Sequence, residues 1–129
     1  MTNDVLIVVA AAVVQDGRLL VVSKQAAPDV FYLPGGKPEP GEAPLETLTR
    51  ELREELGVTP YNPRLLATVE NRAALEDQQM RMTVYTTDLD DVPQPAAELA
   101  ALHWITSEYD VHLAPAVREQ VLPLIRQAL

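Results

Sequence analysis

The chain has 129 residues, of which 47% are hydrophobic, and a formal net charge of −9. This length and composition predict a single domain, residues 1–129, with one packed core. The negative charge disfavours a nucleic-acid polymer or an anionic membrane as a partner. The absence of cysteine excludes disulfides and a thiol nucleophile. It fits a reducing cytoplasm, where we expect the protein to act.

The first part of the chain predicts a β-hairpin. Its apolar run, residues 5–14, is too short to span a membrane and favours a buried strand. Asp16-Gly17 is typical of a hairpin turn, and the residues from 18 to Lys24 predict the returning strand. Residues 25–34 then predict a loop that carries Phe31 and Tyr32.

A loop rich in Gly and Pro, residues 33–42, leads into an amphipathic helix. Pro44 suits the first helical turn and Gly57 suits a left-handed stop, so we predict a helix over 44–56. Its apolar stripe recurs at helical spacing and consists of Leu45, Leu48, Leu52 and Leu56.

Three carboxylates, Glu51, Glu54 and Glu55, share one arc of this helix beside the leucine stripe. Such a group repels itself unless a cation joins it, and hard oxygen ligands suit Mg²⁺ or Mn²⁺. The alternative is a solvated acidic face with pairs such as Arg50 with Glu54. The helix pattern alone leaves both interpretations open.

The second half of the chain predicts three strands, at 64–71, 80–89 and 99–105. Polar and acidic loops separate them, at 72–79 and 88–97. A turn at 106–110 precedes a helix over 116–129, which Pro123 should kink or divide. Strands with helices at these places indicate an α/β fold, an α/β/α sandwich around a central mixed β-sheet.

The stretch from Gly36 to Val58 resembles the Nudix box at every fixed position. It reads Gly36, five residues, Glu42, seven residues, and then Arg50-Glu51-Leu52-Arg53-Glu54-Glu55-Leu56-Gly57-Val58. On these residues the chain is identified as a member of the Nudix hydrolases, and its short length is MutT-like. The resemblance implies the Nudix fold and the hydrolysis of a nucleoside diphosphate linked to another moiety, with Mg²⁺ or possible Mn²⁺ as cofactor.

The resemblance also implies roles inside the box. The metal ligands are the carbonyl of Gly35 and the side chains of Glu51, Glu54 and Glu55. Arg50 orients a catalytic carboxylate, and Glu42 fixes the loop at the start of the helix. Gly36 and Gly57 are structural positions of the motif.

Outside the box, Glu98 lies six residues before Trp104, where MutT-like enzymes place a carboxylate that binds metal or acts as general base. Relatives differ on whether this residue or Glu54 is the base. Lys24 and Lys37 are candidate phosphate contacts, and their alternative is an ordinary surface lysine. Tyr32 is a candidate contact to the nucleobase, whereas we expect Phe31 to belong to the core.

The favoured reaction is the cleavage of a (d)NTP to a monophosphate and pyrophosphate. Alternatives are ADP-ribose, a nucleotide sugar or a dinucleoside polyphosphate as substrate, or a non-catalytic nucleotide-binding regulator. In the resemblance, Val117 takes the place where enzymes specific for 8-oxo-guanine carry an asparagine, and valine cannot hydrogen-bond a base edge. We therefore do not expect specificity for oxidised guanine. A monomer and a homodimer are equally compatible with the sequence.

Overall fold

Eight strands and two helical regions make up residues 4–129, the part of the chain described by the computed structural model. The strands are β1 (Leu6–Ala12), β2 (Val14–Gln15), β3 (Arg18–Lys24), β4 (Ala27–Tyr32), β5 (Gly35–Gly36), β6 (Pro60–Arg72), β7 (Gln79–Leu89) and β8 (Leu99–Ile105). Helix α1 spans Pro44–Leu56. The C-terminal helical region consists of a π-helical segment (Val117–Val121), α2 (Leu122–Ile125) and a 3₁₀ turn (Arg126–Ala128).

Strand β1 lies inside a mixed sheet with the order β5-β1-β7-β6. It runs parallel to β7, with Leu6 opposite Met80 and Ala12 opposite Thr86, and antiparallel to β5. The second half of the strand, from Val9 to Ala12, is buried on both faces, which explains its continuous apolar run, whereas Ile7 in the first half is 42% exposed. The predicted mixed sheet is confirmed.

A second sheet is antiparallel, with β3 between β4 and β8 and with β2 joined to β3 by a hairpin. The predicted hairpin turn is confirmed, since Asp16 and Gly17 have φ angles of 52° and 73°. The predicted loop over 25–34 is wrong, because residues 27–32 form β4. This strand ends the order β2-β3-β4, and its register with β3 is irregular, so it tolerates Pro28.

Helix α1 begins at Pro44 and ends at Leu56, as predicted, with Gly57 in the left-handed conformation. Three of its four predicted stripe leucines are buried, but Leu45 is 44% exposed, so its assignment to the stripe is wrong. Thr47 is instead fully buried on this face. The buried leucines pack against Val9 and Ala11 of β1 and against Val13 beyond its end.

The opposite face of the mixed sheet packs against the C-terminal helical region. Ala10 and Ala12 of β1 share a core cluster with Val117 and Val121. The expected disturbance at Pro123 is confirmed: the region changes from π-helical to α-helical to 3₁₀, because proline removes a hydrogen bond and crowds the preceding turn. Helices therefore cover both faces of the sheet, as an α/β/α sandwich requires. Within residues 4–129, every helix falls short of the length and apolarity of a membrane span.

Candidate active site

Gly35 and Gly36 place the loop backbone between β1 and the acidic side of α1. A Cβ atom on Gly35 would lie 2.1 Å from the Val9 carbonyl oxygen, and one on Gly36 would lie 2.3 Å from the carboxylate carbon of Glu51. The Gly35 N–H donates a hydrogen bond of 3.1 Å to Glu55 Oε1. Only residues without side chains allow the loop to approach both neighbours so closely.

Two of the three predicted metal-binding carboxylates are withdrawn from solvent. Glu55 is only 3% exposed, and burial, together with the negative charge of Glu51, raises its pKa to about 8 although the Gly35 N–H opposes the shift. Burial also raises the pKa of Glu51 above its usual range, against the opposing hydrogen bond from Arg50. Burial and the proximity of two carboxyl groups thus favour the protonated form of each, and added positive charge favours the ionised form.

Arg50 connects this pair to the loop that precedes the helix. Its Nε and Nη2 donate to the two oxygens of Glu42 at 2.8 and 2.9 Å, and its Nη1 donates to Glu51 Oε1 at 2.8 Å. Nη2 also donates to the Lys37 carbonyl at 3.0 Å. These contacts raise the pKa of Arg50. The predicted link between Arg50 and a carboxylate of the helix is therefore present, and Glu51 is the carboxylate held most closely.

Glu42 is held by more donors than the box pattern indicates. Hydrogen bonds from Arg50, from the Thr47 hydroxyl at 2.7 Å and from the Glu39 N–H at 3.0 Å lower the pKa of Glu42 to about 2. Sequence reasoning missed Thr47, since a threonine does not count in an apolar stripe. Its position on the buried face of the helix was the available signal.

Glu54 stands apart from the other two carboxylates: its side chain is 56% exposed, and one oxygen lies 3.6 Å from Arg50 Nη1. No three His, Cys, Asp or Glu side chains between residues 4 and 129 are already arranged to hold an ion. The donor set of three carboxylates and the Gly35 carbonyl nevertheless has the hard-oxygen chemistry of Mg²⁺ and Mn²⁺. Because Gly36 has no side chain, the Glu51 carboxylate has room beside it to bind a cation. The chemistry of these residues therefore fits a divalent cation, which Glu51, Glu54, Glu55 and the Gly35 carbonyl would hold.

Lys24 and Glu98 come together although they are far apart in the chain. The Lys24 ammonium lies 3.5 Å from Glu98 Oε1, and the Gln25 N–H donates to the Glu98 carbonyl at 2.9 Å. The pairing of β3 with β8 explains why the two side chains are close, because Lys24 is opposite Leu99, the residue after Glu98. Each was predicted as a site residue, and both line the same cleft.

This cleft has a volume of about 320 Å³ and two chemically different ends. One end is polar and is lined by Lys24, Gly35, Gly36, Lys37, Glu51 and Glu98. The other is mostly apolar and is lined by Leu6, Val8, Leu33, Ala73, Ala74, Leu75, Glu76, Met80 and Met82. Tyr32 also lines the cleft, and burial raises the pKa of its hydroxyl.

Sequence reasoning missed the apolar end of the cleft. Leu6 and Val8 of β1 face it with their β7 partners Met80 and Met82. Only the parallel pairing of these strands brings the four side chains together, and no local pattern reports it. Glu76 gave no signal either, because it belongs to the polar loop between β6 and β7.

Two other sequence expectations concern residues beside the cleft. Phe31 is buried, as expected of a core residue, and its ring meets His103 edge to face at 4.9 Å. Val117 is 1% exposed in the core cluster. It therefore offers no polar group to a base.

Comparison with known proteins agrees with this geometry. The family model of the NUDIX domain matches residues 5–124. The CTP pyrophosphohydrolase of Escherichia coli (strain K12) is 34% identical over 119 residues, covering 84% of this chain and 83% of the relative.

Two solved structures share the fold. The MutT NUDIX hydrolase from Burkholderia pseudomallei superimposes with a TM-score of 0.74, 25% identity and 98% coverage of both chains. A UDP-X diphosphatase gives a TM-score of 0.81 and 29% identity over 99% of this chain and 64% of the other. With the family model matched over nearly the whole sequence, this chain belongs to the Nudix hydrolases.

Proposed function

We propose that this enzyme uses a divalent cation, Mg²⁺ or Mn²⁺, to hydrolyse a nucleoside triphosphate to a monophosphate and pyrophosphate. One observation supports this most strongly: a single cleft of about 320 Å³ joins an apolar end to a polar end lined by Gly35, Gly36 and the carboxylates of Glu51 and Glu98. An apolar end suits a nucleobase, and the polar end suits the phosphates. The cleft therefore matches a molecule with one flat apolar group and one strongly charged group.

The carboxylate end is proposed to hold the cation through Glu51, Glu54, Glu55 and the Gly35 carbonyl. When bound, a divalent cation neutralises phosphate oxygens and makes water easier to deprotonate. Lys24 and Lys37 line the same end and are proposed to bind the outer phosphates. A chain with a net charge of −9 needs such a local concentration of positive charge to hold an anionic substrate.

Cleavage requires a base for the attacking water. Water attacks phosphorus in line, the bridging P–O bond breaks, and the leaving pyrophosphate takes the bonding electrons. The proton passes to a carboxylate, which we propose is Glu54 or Glu98. Both have the exposure needed to meet water, with 56% and 64% of their side-chain surface accessible.

Arg50 is proposed to position the carboxylates. It holds Glu51 through a hydrogen bond of 2.8 Å and lies 3.6 Å from Glu54. Because its other nitrogens are fixed by Glu42, the guanidinium cannot follow Glu51 into a different position.

The relatives support two substrate classes. The E. coli relative is named a CTP pyrophosphohydrolase, which favours a nucleoside triphosphate. The superimposed UDP-X diphosphatase favours a second candidate, a nucleotide linked to another group. The apolar end of the cleft serves the base in either case.

The test is turnover of a panel of nucleotides with Mg²⁺ and with Mn²⁺, measured as phosphate or pyrophosphate released. The panel contains the NTPs and dNTPs, 8-oxo-dGTP, ADP-ribose, UDP-sugars and dinucleoside polyphosphates. We expect pyrophosphate from a nucleoside triphosphate and none after removal of the metal with a chelator. Release only from UDP-sugars would select the second candidate.

Variants connect the activity to the site. Glu54→Gln and Glu55→Gln should each lower kcat by about 10²-fold or more while the protein stays folded. The matched control is Glu108→Gln, which removes the same charge in the turn at 106–110, away from the cleft. Full activity in Glu55→Gln would overturn the assignment of the metal site.

A further inference from the structure

The cleft holds two polar groups that the proposed phosphate chemistry does not use. The Tyr32 hydroxyl is buried and makes no hydrogen bond to any residue in the described range 4–129. Glu76 lines the same cleft from the loop between β6 and β7. A buried hydroxyl without a partner is a group that a ligand can satisfy.

The strand register fixes where these groups lie relative to the phosphates. β1 pairs with β5 at Val9 opposite Gly36, whereas Leu6, which lines the apolar end, is three residues earlier in the strand. At about 3.3 Å per residue, the two ends are separated by about 10 Å. Glu76 is in the loop that leads into β7 beside Leu6, so it belongs to the apolar end.

Tyr32 stands between the ends. The charges of Glu55 and Glu98 at the polar end and of Glu76 at the apolar end all raise the pKa of its hydroxyl, after the larger effect of burial. The hydroxyl therefore remains protonated and serves as a hydrogen-bond donor.

We propose that Tyr32 and Glu76 read the edge of the base and select one that presents an exocyclic amino group beside an unprotonated ring nitrogen. The Glu76 carboxylate accepts from the amino group, and the Tyr32 hydroxyl donates to the ring nitrogen. Cytosine and adenine have this edge. Uracil and hypoxanthine present a carbonyl beside a ring N–H, so their oxygen would face the acceptor-only carboxylate of Glu76, whereas the Tyr32 hydroxyl can turn to accept from the N–H; the discrimination therefore comes from Glu76. This inference rests on the proposed function and names its substrate class.

The remaining surroundings favour this assignment. The other side chains of the apolar end shape the cleft but cannot form the hydrogen bonds that distinguish bases; among them are Val8, Met80 and Met82. Val117 lies in the core and cannot contribute. Recognition of the base edge therefore falls to the two polar groups.

The test compares kcat/KM for CTP against UTP and for ATP against ITP, two pairs that differ mainly at this edge. We expect the amino-bearing member of at least one pair to be preferred by about 10-fold or more. The pair that shows the preference identifies cytosine or adenine as the base. Ratios near one in both pairs would overturn the inference.

Two variants test the assignment to residues. Tyr32→Phe keeps the ring and removes only the hydroxyl, and Glu76→Gln keeps the shape of the side chain but lets it donate to a carbonyl. Glu76→Gln should reduce the preferred ratio by about 10-fold, partly by improving UTP or ITP, whereas Tyr32→Phe should lower kcat/KM for both members of a pair. Glu108→Gln is the control and should leave the ratio unchanged. An unchanged ratio in Glu76→Gln, or an unchanged kcat/KM in Tyr32→Phe, would overturn the assignment of that residue.

A binding measurement keeps this inference separate from the proposed function. The affinities of CMP against UMP and of AMP against IMP are measured by calorimetry on the wild type and on both variants. If no triphosphate is hydrolysed, the proposed function fails, and these affinities alone decide whether the base edge is read. Equal affinities within each pair would then overturn the inference.

Discussion

Arg50 and Glu42 are joined by a fork of two hydrogen bonds, from Nε to Oε2 at 2.8 Å and from Nη2 to Oε1 at 2.9 Å. A bidentate pair fixes the plane of the guanidinium as well as its position. The third nitrogen of the same group holds Glu51 at 2.8 Å. The orientation of a proposed metal ligand on the helix thus depends on a residue of the preceding loop.

Replacing Arg50 by lysine tests this dependence. An ammonium group keeps the charge but cannot form the fork and hold Glu51 together, so we expect kcat to fall by about 10²-fold. Glu42→Gln keeps one acceptor and should have a milder effect. Steady-state kinetics and circular dichroism check both variants. An Arg50→Lys enzyme with normal kcat would contradict the positioning role.

Gly35→Ala and Gly36→Ala form a matched pair of variants, of which we expect the first to lose stability and the second to lose activity. A Cβ on Gly35 meets the backbone of Val9 and Ala10, and its φ of 149° is itself unfavourable for alanine, so we expect a loss of about 3 kcal/mol or more of unfolding free energy. A Cβ on Gly36 meets only the carboxylate at the end of the Glu51 side chain, which can rotate away. That variant should stay folded but lose about 10²-fold in kcat.

Thermal unfolding and kinetics separate these outcomes. A Gly36→Ala protein as unstable as Gly35→Ala would show that the second glycine is required for folding and not for the placement of Glu51.

Thr47 gives a prediction that the box pattern does not contain. Its buried hydroxyl donates to Glu42 at 2.7 Å, and Thr47→Val removes this donor without changing the shape of the side chain. We expect a lower Tm and a kcat reduced several-fold, because Glu42 then holds Arg50 less firmly. Thr47→Ser keeps the hydroxyl and should recover most of the activity. Equal kcat in the valine and serine variants would limit Thr47 to packing.

The raised pKa of Glu55 predicts a dependence of stability on pH in the metal-free protein. Between its unfolded pKa of about 4.5 and its folded pKa of about 8, the unfolded state has lost the proton that the folded state keeps. Raising the pH through this range therefore favours unfolding. The Tm of the wild type should fall relative to that of Glu55→Gln between pH 5 and pH 8.

Addition of Mg²⁺ should reverse this trend. A cation binds the ionised carboxylate of the folded state, so its stabilising effect should be larger at pH 8 than at pH 5. Differential scanning fluorimetry at several pH values measures both effects. Parallel curves for the wild type and Glu55→Gln would contradict the assignment.

Lys24→Ala should raise KM by about 10-fold with little change in kcat, if the ammonium contacts phosphate equally in the ground and transition states. Its ion pair with Glu98 is long, at 3.5 Å, and the Glu98 side chain is 64% exposed, so Tm should change little. Lys37→Ala provides the comparison for the second lysine of the cleft. A large fall in kcat without a change in KM would instead place Lys24 in transition-state stabilisation.

The choice of general base follows from Glu98→Gln beside Glu54→Gln. The variant that removes the base should lose about 10²-fold or more in kcat and lose the acidic limb of its pH profile. The other variant should keep that limb. If both profiles keep it, neither carboxylate takes the proton.

Local signals predicted the helix and the hairpin well. Pro44 and Gly57 act on their own segment of backbone, so the bounds of α1 agree with the structure. Strand bounds near prolines were predicted less well: Pro28 lies inside β4, and β6 begins at Pro60 instead of residue 64. Both strands have irregular register with their neighbours, and irregular pairing accommodates residues that a regular ladder excludes.

Local spacing predicted the part of the candidate site whose residues are close in sequence, and the family resemblance added Lys24 and Glu98. The box placed Arg50, Glu51 and Glu55 on one helix, and the structure brings the last two against Gly36 and Gly35. The cleft needs contacts between strands that are distant in sequence, such as the pairing of Leu6 with Met80. The helical period also could not show that Glu54 faces solvent while Glu55 is buried, because packing decides this.

The place of β1 in the mixed sheet has a consequence for synthesis of the protein. Residues 6–12 leave the ribosome early, but their parallel partners are residues 80–86, and α1 emerges between the two. The strand LIVVAAA therefore lacks its β7 partner, and keeps the backbone groups of that edge unpaired, until most of the chain has been made. Such non-local pairing slows folding and favours association between nascent chains. Slower translation ahead of residue 80 would lengthen this interval and should lower the yield of active enzyme.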